Sequence, residues 1–442
     1  MQQCCYSSLL LPGDLLPPAK IRGDDVVGRR LLVDVEPLRA SPAFRRLWVC
    51  ATLSGVGSQM TSFAVALQIF RRTHSSAAVG AVGLAIAIPS IGFGLFGGAI
   101  IDSMDRRRLV LITSTGLALV SGAFAAQAFL GIRHVGPLYC LIVVQSLLSC
   151  INGPAGRTFL PRLLTPELVP AGAALNMLSF HASVTVGPAV AGVIAGVGGL
   201  KVCYLVDAVS FTAALYGVFR LPAMRPEGGA SRPGVAAVVA GLRFIRGSKV
   251  LLGALLADLN ATVLAMPIAL FPAINAEHFG GDAKTLGLFS SALAVGGIVG
   301  SALSGPLRHV VRPGRAMLLA GVVWGLALAG FGFSGHLWLT LALIAIAGVA
   351  DVTAVVFRTS MIQMATPDRY RGRVSATEYV VGAGCPQLGN FRAGAIGSLT
   401  SPGISAFSGG IAAAVGSVLI GLALPAFSRY RIEPARKSRP LS

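Results

Sequence analysis

The sequence predicts an all-α integral membrane protein with twelve transmembrane helices in two six-helix bundles. The first observation behind this prediction is composition: 54% of the 442 residues are hydrophobic and 12% are charged, whereas a soluble domain carries about 25% charged residues. The second is a series of long apolar spans, and the third is an internal repeat. Together they exclude a soluble globular chain.

The apolar spans are long enough to cross a bilayer, whose hydrocarbon core requires about 20 helical residues. Glycine, proline and charged residues separate them along the chain. The predicted spans are 44–70, 77–101, 109–130, 137–157, 168–198, 200–220, 250–274, 284–307, 315–334, 337–358, 372–397 and 404–427.

Basic residues are distributed unequally between the two sides of these spans. Of the 36 Lys and Arg residues, 30 lie in the tails and in alternate connections, five lie on the other side and one lies within a span. Cytoplasmic loops of membrane proteins carry the excess of positive charge. The sequence therefore predicts a multi-pass protein of the plasma (inner) membrane with both termini in the cytoplasm.

An internal repeat relates the two halves. The segment Arg157–Glu167 recurs 201 residues later as Arg358–Asp368, with the arginine and the Thr-Pro pair at the same spacing. Parallel repeats of this kind build many transporter folds. The predicted divisions are a cytoplasmic N-terminal tail (1–40), an N-terminal bundle (41–220), a cytoplasmic linker with an amphipathic helix (221–249), a C-terminal bundle (250–427) and a basic cytoplasmic tail (428–442).

The sequence carries few signs of other functions. The net charge of +19 is dispersed in short clusters between apolar runs, which disfavours a nucleic-acid surface. We find no nucleotide-binding, catalytic or metal-ligating spacing, and the seven cysteines form no framework. We therefore predict no enzyme activity, no cofactor and no metal, with a small-molecule substrate, protons and the lipid bilayer as partners of a monomer.

A short charged loop joins the second and third spans. It resembles the connection between helices 2 and 3 of the major facilitator superfamily, which reads roughly Gly-x-x-x-Asp-Arg-x-Gly-Arg-Lys. This chain departs from that pattern at Ser103 and at Asp105. The resemblance implies a loop that stabilises one closed state, although the same charges could serve topology alone. The candidate gating residues are Gly98, Asp102, Asp105, Arg106, Arg107 and Arg108.

Ionisable and polar residues within the spans are the default functional candidates, because charge is costly inside a membrane. For Asp258 a hydrogen bond between helices is the competing interpretation, and for Asp207 both the partner and the role are open. The candidates for coupling or substrate contact are Asp258, Asn260, Asp207 and Asp351. Arg157 and Arg358 are candidates for a cytoplasmic latch, and Arg358 could equally pair with Asp351 or anchor its helix at the membrane surface. Glu378, near a helix start, is interpreted as structural.

The fifth span contains Gly187, Pro188 and Gly192, which predict a pliable and closely packed helix. This stretch resembles the Gly-Pro antiporter signature of drug and metabolite exporters in the same superfamily. The segments 41–48, 371–375 and 386–394 resemble its enterobactin-exporter branch.

The resemblance implies a proton-coupled efflux pump for a siderophore or drug, working by alternating access. An uptake permease and a non-transporting membrane sensor or assembly partner are the alternatives that the sequence leaves open.

Overall fold

The computed structural model describes residues 34–96, 105–221, 235–303 and 310–431. Twelve long helices follow one another in this part of the chain. We number them α1 to α12 in chain order. They are Pro42–Thr73, Ser76–Phe96, Arg106–Phe129, Gly136–Arg157, Val169–Val197, Leu200–Phe219, Lys249–Ala265, Ala283–Ala302, Pro313–Phe333, Leu337–Ala365, Asp368–Leu399 and Pro402–Ala423.

Ten segments in the described ranges are long and apolar enough to cross a membrane. The two long helices outside this set, α1 and α11, have 32 residues each, and their charged residues reduce their mean hydropathy. The all-α membrane fold is confirmed, and twelve crossings are consistent with it.

Local sequence explains where several helices begin. The Ser41 hydroxyl accepts a hydrogen bond from the Phe44 amide, 3.2 Å away, and Pro42 occupies the first helical position of α1. Ser401 caps α12 in the same way, while Asp282 caps α8. Hydroxyl and carboxylate groups at these positions satisfy amides that have no partner within the helix.

The seventh span differs from the prediction of one continuous helix. α7 ends at Ala265, a 3₁₀ turn follows at Ile268–Leu270, and a short helix continues over Phe271–Phe279. Pro267 lies in the interruption, and proline cannot donate the amide hydrogen bond that a continuing helix requires. The Asn390 side chain of α11 compensates in part, because its oxygen accepts a hydrogen bond from the Ala269 amide at 3.2 Å.

One end of the bundle collects the starts of the odd-numbered helices. The Arg46 guanidinium at the start of α1 donates to the Arg220 carbonyl just after α6, 3.2 Å away. Arg315 and then Arg431 lower the pKa of Arg312, because like charges disfavour one another. We call this end, with residues 41–46, 105–108, 219–221, 235–253, 310–315 and 424–431, the basic face, and the other end the opposite face.

A short helix, Val235–Gly247, lies at the basic face between the two halves. It packs on the start of α11, where Thr377 donates to the Val238 carbonyl at 3.3 Å and Phe244 stacks on Tyr370 at a ring distance of 4.3 Å. The linker therefore contacts the C-terminal half directly.

The two halves meet along two pairs of helices, α2 with α11 and α5 with α8. Glycines allow the close approach. A Cβ on Gly192 would lie 2.7 Å from the Ala283 carbonyl oxygen, and one on Gly287 would lie 2.8 Å from that of Pro188. These contacts lie at the opposite face, where α5 ends and α8 begins, so the halves are closed against each other there.

Candidate functional site

The central feature of the C-terminal half is an ion pair between two helices. Arg358 of α10 forms a salt bridge with Asp258 of α7, and their side chains are 17% and 11% exposed. Sequence reasoning named both residues without pairing them. Arg358 faces the protein interior and not the membrane surface, because its guanidinium reaches across to α7.

Two further carboxylates surround this pair. Asp351 lies seven residues before Arg358 on α10, and therefore on the same helical face. It interacts electrostatically with Asp258 and Arg358, as does Glu378 of α11. We call Asp258, Asp351, Arg358 and Glu378 the acidic cluster. Among the described residues, Arg358 is the cation shared by all three acids.

The acidic cluster lies deep within the bundle. At 1.5 Å per helical residue, Asp258 is about 14 Å from the start of α7 and Glu378 about 15 Å from the start of α11. Asp351 is about 21 Å from the end of α10 at the basic face.

Asp351 is nevertheless exposed. Because its helical face is the one that contacts α7, this exposure is to a space between helices. The contacts between the halves close the bundle at the opposite face.

Asn260 has a different environment, although it is two residues from Asp258. Its side-chain nitrogen donates to the Ala413 carbonyl at 2.7 Å and to the Ser417 hydroxyl at 3.2 Å, both on α12. A two-residue step rotates a helix by about 200°, so Asn260 points away from the acidic cluster. These hydrogen bonds join α7 to α12, which is a structural role.

Asp207 lies in the other half, fully buried in α6. The hydroxyls of Thr61 in α1 and Ser121 in α3 each donate to its Oδ2 at 2.7 Å. Its Oδ1 has no hydrogen-bond partner among the described residues. Asp207 thus joins three helices of the N-terminal bundle and is not brought together with Asp258 or Asp351.

The charged loop between α2 and α3 is described from Asp105 onward. Asp105 caps α3, because its carboxylate accepts a hydrogen bond from the Arg108 amide at 3.1 Å. Arg107 donates to the Phe219 carbonyl and lies 5.9 Å from the Phe219 ring, so it joins α3 to the end of α6. Arg106 is partly buried. Gly98 and Asp102 lie outside the described residues, and the predicted gating role of this loop stays a prediction.

Of the two latch candidates, the structure describes the side chain of Arg358 alone. The side chain of Arg157 lies outside the described residues, while Arg358 belongs to the acidic cluster.

In α5, a Cβ on Gly187 would lie 2.5 Å from the Gln59 side chain of α1, and Gly192 packs on α8. These glycines bring α5 close to one helix in its own half and to one in the other half.

The described residues contain no group of three or more His, Cys, Asp or Glu side chains that could hold a metal ion. The acidic cluster has the chemistry to bind and release protons or to hold a polar ligand. Ionising three carboxylates beside one guanidinium would leave two negative charges uncompensated, which is costly in a medium of low dielectric constant.

The fold is similar to those of several solved membrane proteins. The nucleoside transporter NupG superposes with a TM-score of 0.67 at 14% identity, covering 88% of this chain and 100% of NupG. A bacterial homologue of the iron transporter ferroportin gives 0.65 in its inward-facing state and 0.57 in its outward-facing state, both at 18% identity. The inward-facing comparison covers 88% of this chain and 99% of the homologue. The outward-facing comparison covers 88% of this chain and 100% of the homologue.

Residues 34–440 match the family model described as transmembrane secretion effector, and the chain belongs to this family of the major facilitator superfamily. Its sequence is 25% identical over 408 residues to proteins named enterobactin exporter EntS from Escherichia coli and Shigella boydii. The alignment covers 91% of this chain and 97% of those relatives. Members of the family are transporters and not enzymes, and the predicted family resemblance is confirmed. The chain is a transmembrane exporter of a small molecule.

Proposed function

We propose that this protein is a proton-coupled exporter of siderophore-class molecules in the plasma (inner) membrane, acting as a monomer. The observation that carries the coupling is the acidic cluster, in which three carboxylates share one arginine deep in the membrane. The substrate class is supported by the relatives that are named enterobactin exporters. Both termini are assigned to the cytoplasm because the basic face carries most of the charge.

In this assignment the described conformation is open toward the cytoplasm. Substrate enters between the halves from the basic face while α5 and α8 remain closed at the opposite face. Rocking of the two bundles then opens the opposite face and closes the basic one. Protons that enter from outside bind the acidic cluster and remove its excess negative charge, which lowers the cost of closing the site away from water.

Cells provide the direct test of the substrate. We expect a deletion strain to retain a labelled siderophore of the enterobactin class in its cytoplasm, and cells that overproduce the protein to retain less than the parent strain. A panel that includes other siderophores and several antibiotics identifies the class. Greater accumulation in overproducing cells would identify an uptake permease instead. Equal retention of every compound would favour a sensor or assembly partner.

A further inference from the structure

Three of the five basic residues on the opposite face line a single cavity. Arg71 and Arg72 lie in the last turn of α1, Lys201 lies in the first turn of α6, and the cavity between them has a volume of about 350 Å³. Basic residues are depleted on the outer side of membrane proteins. In addition, Lys201 lies at a helix N-terminus, where the helix dipole disfavours a cation. Topology therefore does not account for this cluster, which we call the basic pocket.

Gln68, which lines the basic pocket, is held by buried polar contacts behind it. Gln68 and Gln127 exchange side-chain hydrogen bonds of 3.3 Å and 3.1 Å, and the Tyr204 hydroxyl donates to Gln68 Oε1 at 2.5 Å. All three side chains are buried. Tyr204 also stacks on Phe124, with 5.5 Å between ring centroids. The Gln68 side chain is therefore fixed, and the cations of the basic pocket are attached to the two helices α1 and α6.

In the part of the chain that the structure describes, the cations of the basic pocket lack an acidic partner. Arg71, Arg72 and Lys201 form no ion pair with any carboxylate in the described ranges. Arg72 Nη1 is buried and has no hydrogen-bond partner there. Lys201 Nζ lies 5.6 Å from the centroid of the Phe129 ring. A buried guanidinium nitrogen without an acceptor is costly, and an anion in the cavity would supply one.

We propose that the basic pocket binds a phosphate group, carried by the headgroup of an anionic phospholipid in the adjacent leaflet or free in solution. Its position at the ends of α1 and α6 is the level of lipid headgroups. Its volume falls in the range of about 300–1,000 Å³ that is usual for ligand pockets. Arginine and lysine are the residues that bind phosphate through charge-assisted hydrogen bonds. The site is independent of the transported substrate.

Native mass spectrometry of the purified full chain tests this site. The protein is incubated with phosphatidylglycerol and with phosphatidylcholine of the same acyl chains. We expect phosphatidylglycerol to be retained in preference. Arg72→Gln and Lys201→Gln should each weaken its binding about tenfold, as expected from the loss of one charge-assisted contact. Arg133→Gln is the matched control, because Arg133 is exposed on the same face and does not line the cavity.

Competition with inorganic phosphate distinguishes the two sources of the anion. Failure of phosphate to displace phosphatidylglycerol assigns the site to the lipid headgroup, whereas displacement that depends on Arg72 and Lys201 assigns it to the free ion. Equal retention of both lipids by all variants, without an effect of phosphate on their thermal unfolding, would overturn the proposal. Lys201→Gln carries the test if Arg72→Gln fails to fold, because Lys201 is exposed.

Discussion

Asp258→Asn is expected to abolish transport and to lower the stability of the purified protein. The substitution removes the negative partner of Arg358 and leaves a guanidinium that is only 17% exposed without its ion pair. Removing one partner of a buried pair costs about 3–5 kcal/mol. Substrate flux in proteoliposomes should fall more than about tenfold, because the neutral amide cannot exchange a proton in the coupling step. Thermal unfolding in detergent measures the stability.

The reciprocal substitution separates stability from coupling. Arg358→Gln is expected to cost less than Asp258→Asn, because an unpaired aspartate can take up a proton whereas an arginine remains charged. The double variant Asp258→Asn/Arg358→Gln should recover most of the lost stability and still fail to transport. Wild-type flux from Asp258→Asn would remove this residue from the coupling site.

Gly394→Val is expected to prevent the two halves from closing at the opposite face. A Cβ at position 394 would contact the Ser76 carbonyl oxygen of α2 and lie 3.0 Å from the Gly80 Cα. Overpacking of this kind costs about 1–3 kcal/mol, and about 1.4 kcal/mol shifts a two-state equilibrium tenfold. The variant should therefore favour the state that is open at the opposite face and should lose transport.

A cysteine at position 291 reports this shift. Ser291 of α8 donates to the Thr185 carbonyl of α5 at 3.1 Å, within the closed contact. In a background without native cysteines, Gly394→Val should speed labelling of Ser291→Cys from the opposite face about tenfold. Gly382→Val is the matched control on the same helix, because a Cβ there would meet nothing within 4 Å. Equal labelling in the two glycine variants would contradict the closed contact as the controlling feature.

Much of the helical order could be predicted from the sequence, because a bilayer forces apolar segments of fixed length to be helices. The end of α1 near residue 73 and the start of α5 near 169 lie close to the predicted limits. The seventh span was predicted less well. Pro267 marks the break within the sequence itself, but the Asn390 side chain that accepts the Ala269 amide comes from another helix, which no local pattern reveals.

The candidate site was only partly predictable. The cost of charge in a membrane identified Asp258 and Asp351 as candidates, but it could not show which helices face each other. The Asp258–Arg358 pair joins helices that are 100 residues apart in sequence. For the same reason Glu378 was interpreted as structural, and the bonds of Asn260 to α12 were not foreseen. Hydropathy treats all intramembrane polar residues alike, whereas packing gives each one a different partner.

The most direct test of the export mechanism is uptake of a labelled enterobactin-class siderophore into inside-out membrane vesicles. These vesicles present the cytoplasmic face to the medium, so an exporter fills them. We predict accumulation that depends on an imposed proton gradient, is abolished by a protonophore and is absent in vesicles with Asp258→Asn. Accumulation that is unaffected by the protonophore and by Asp258→Asn, or uptake only in right-side-out vesicles, would contradict proton-coupled export.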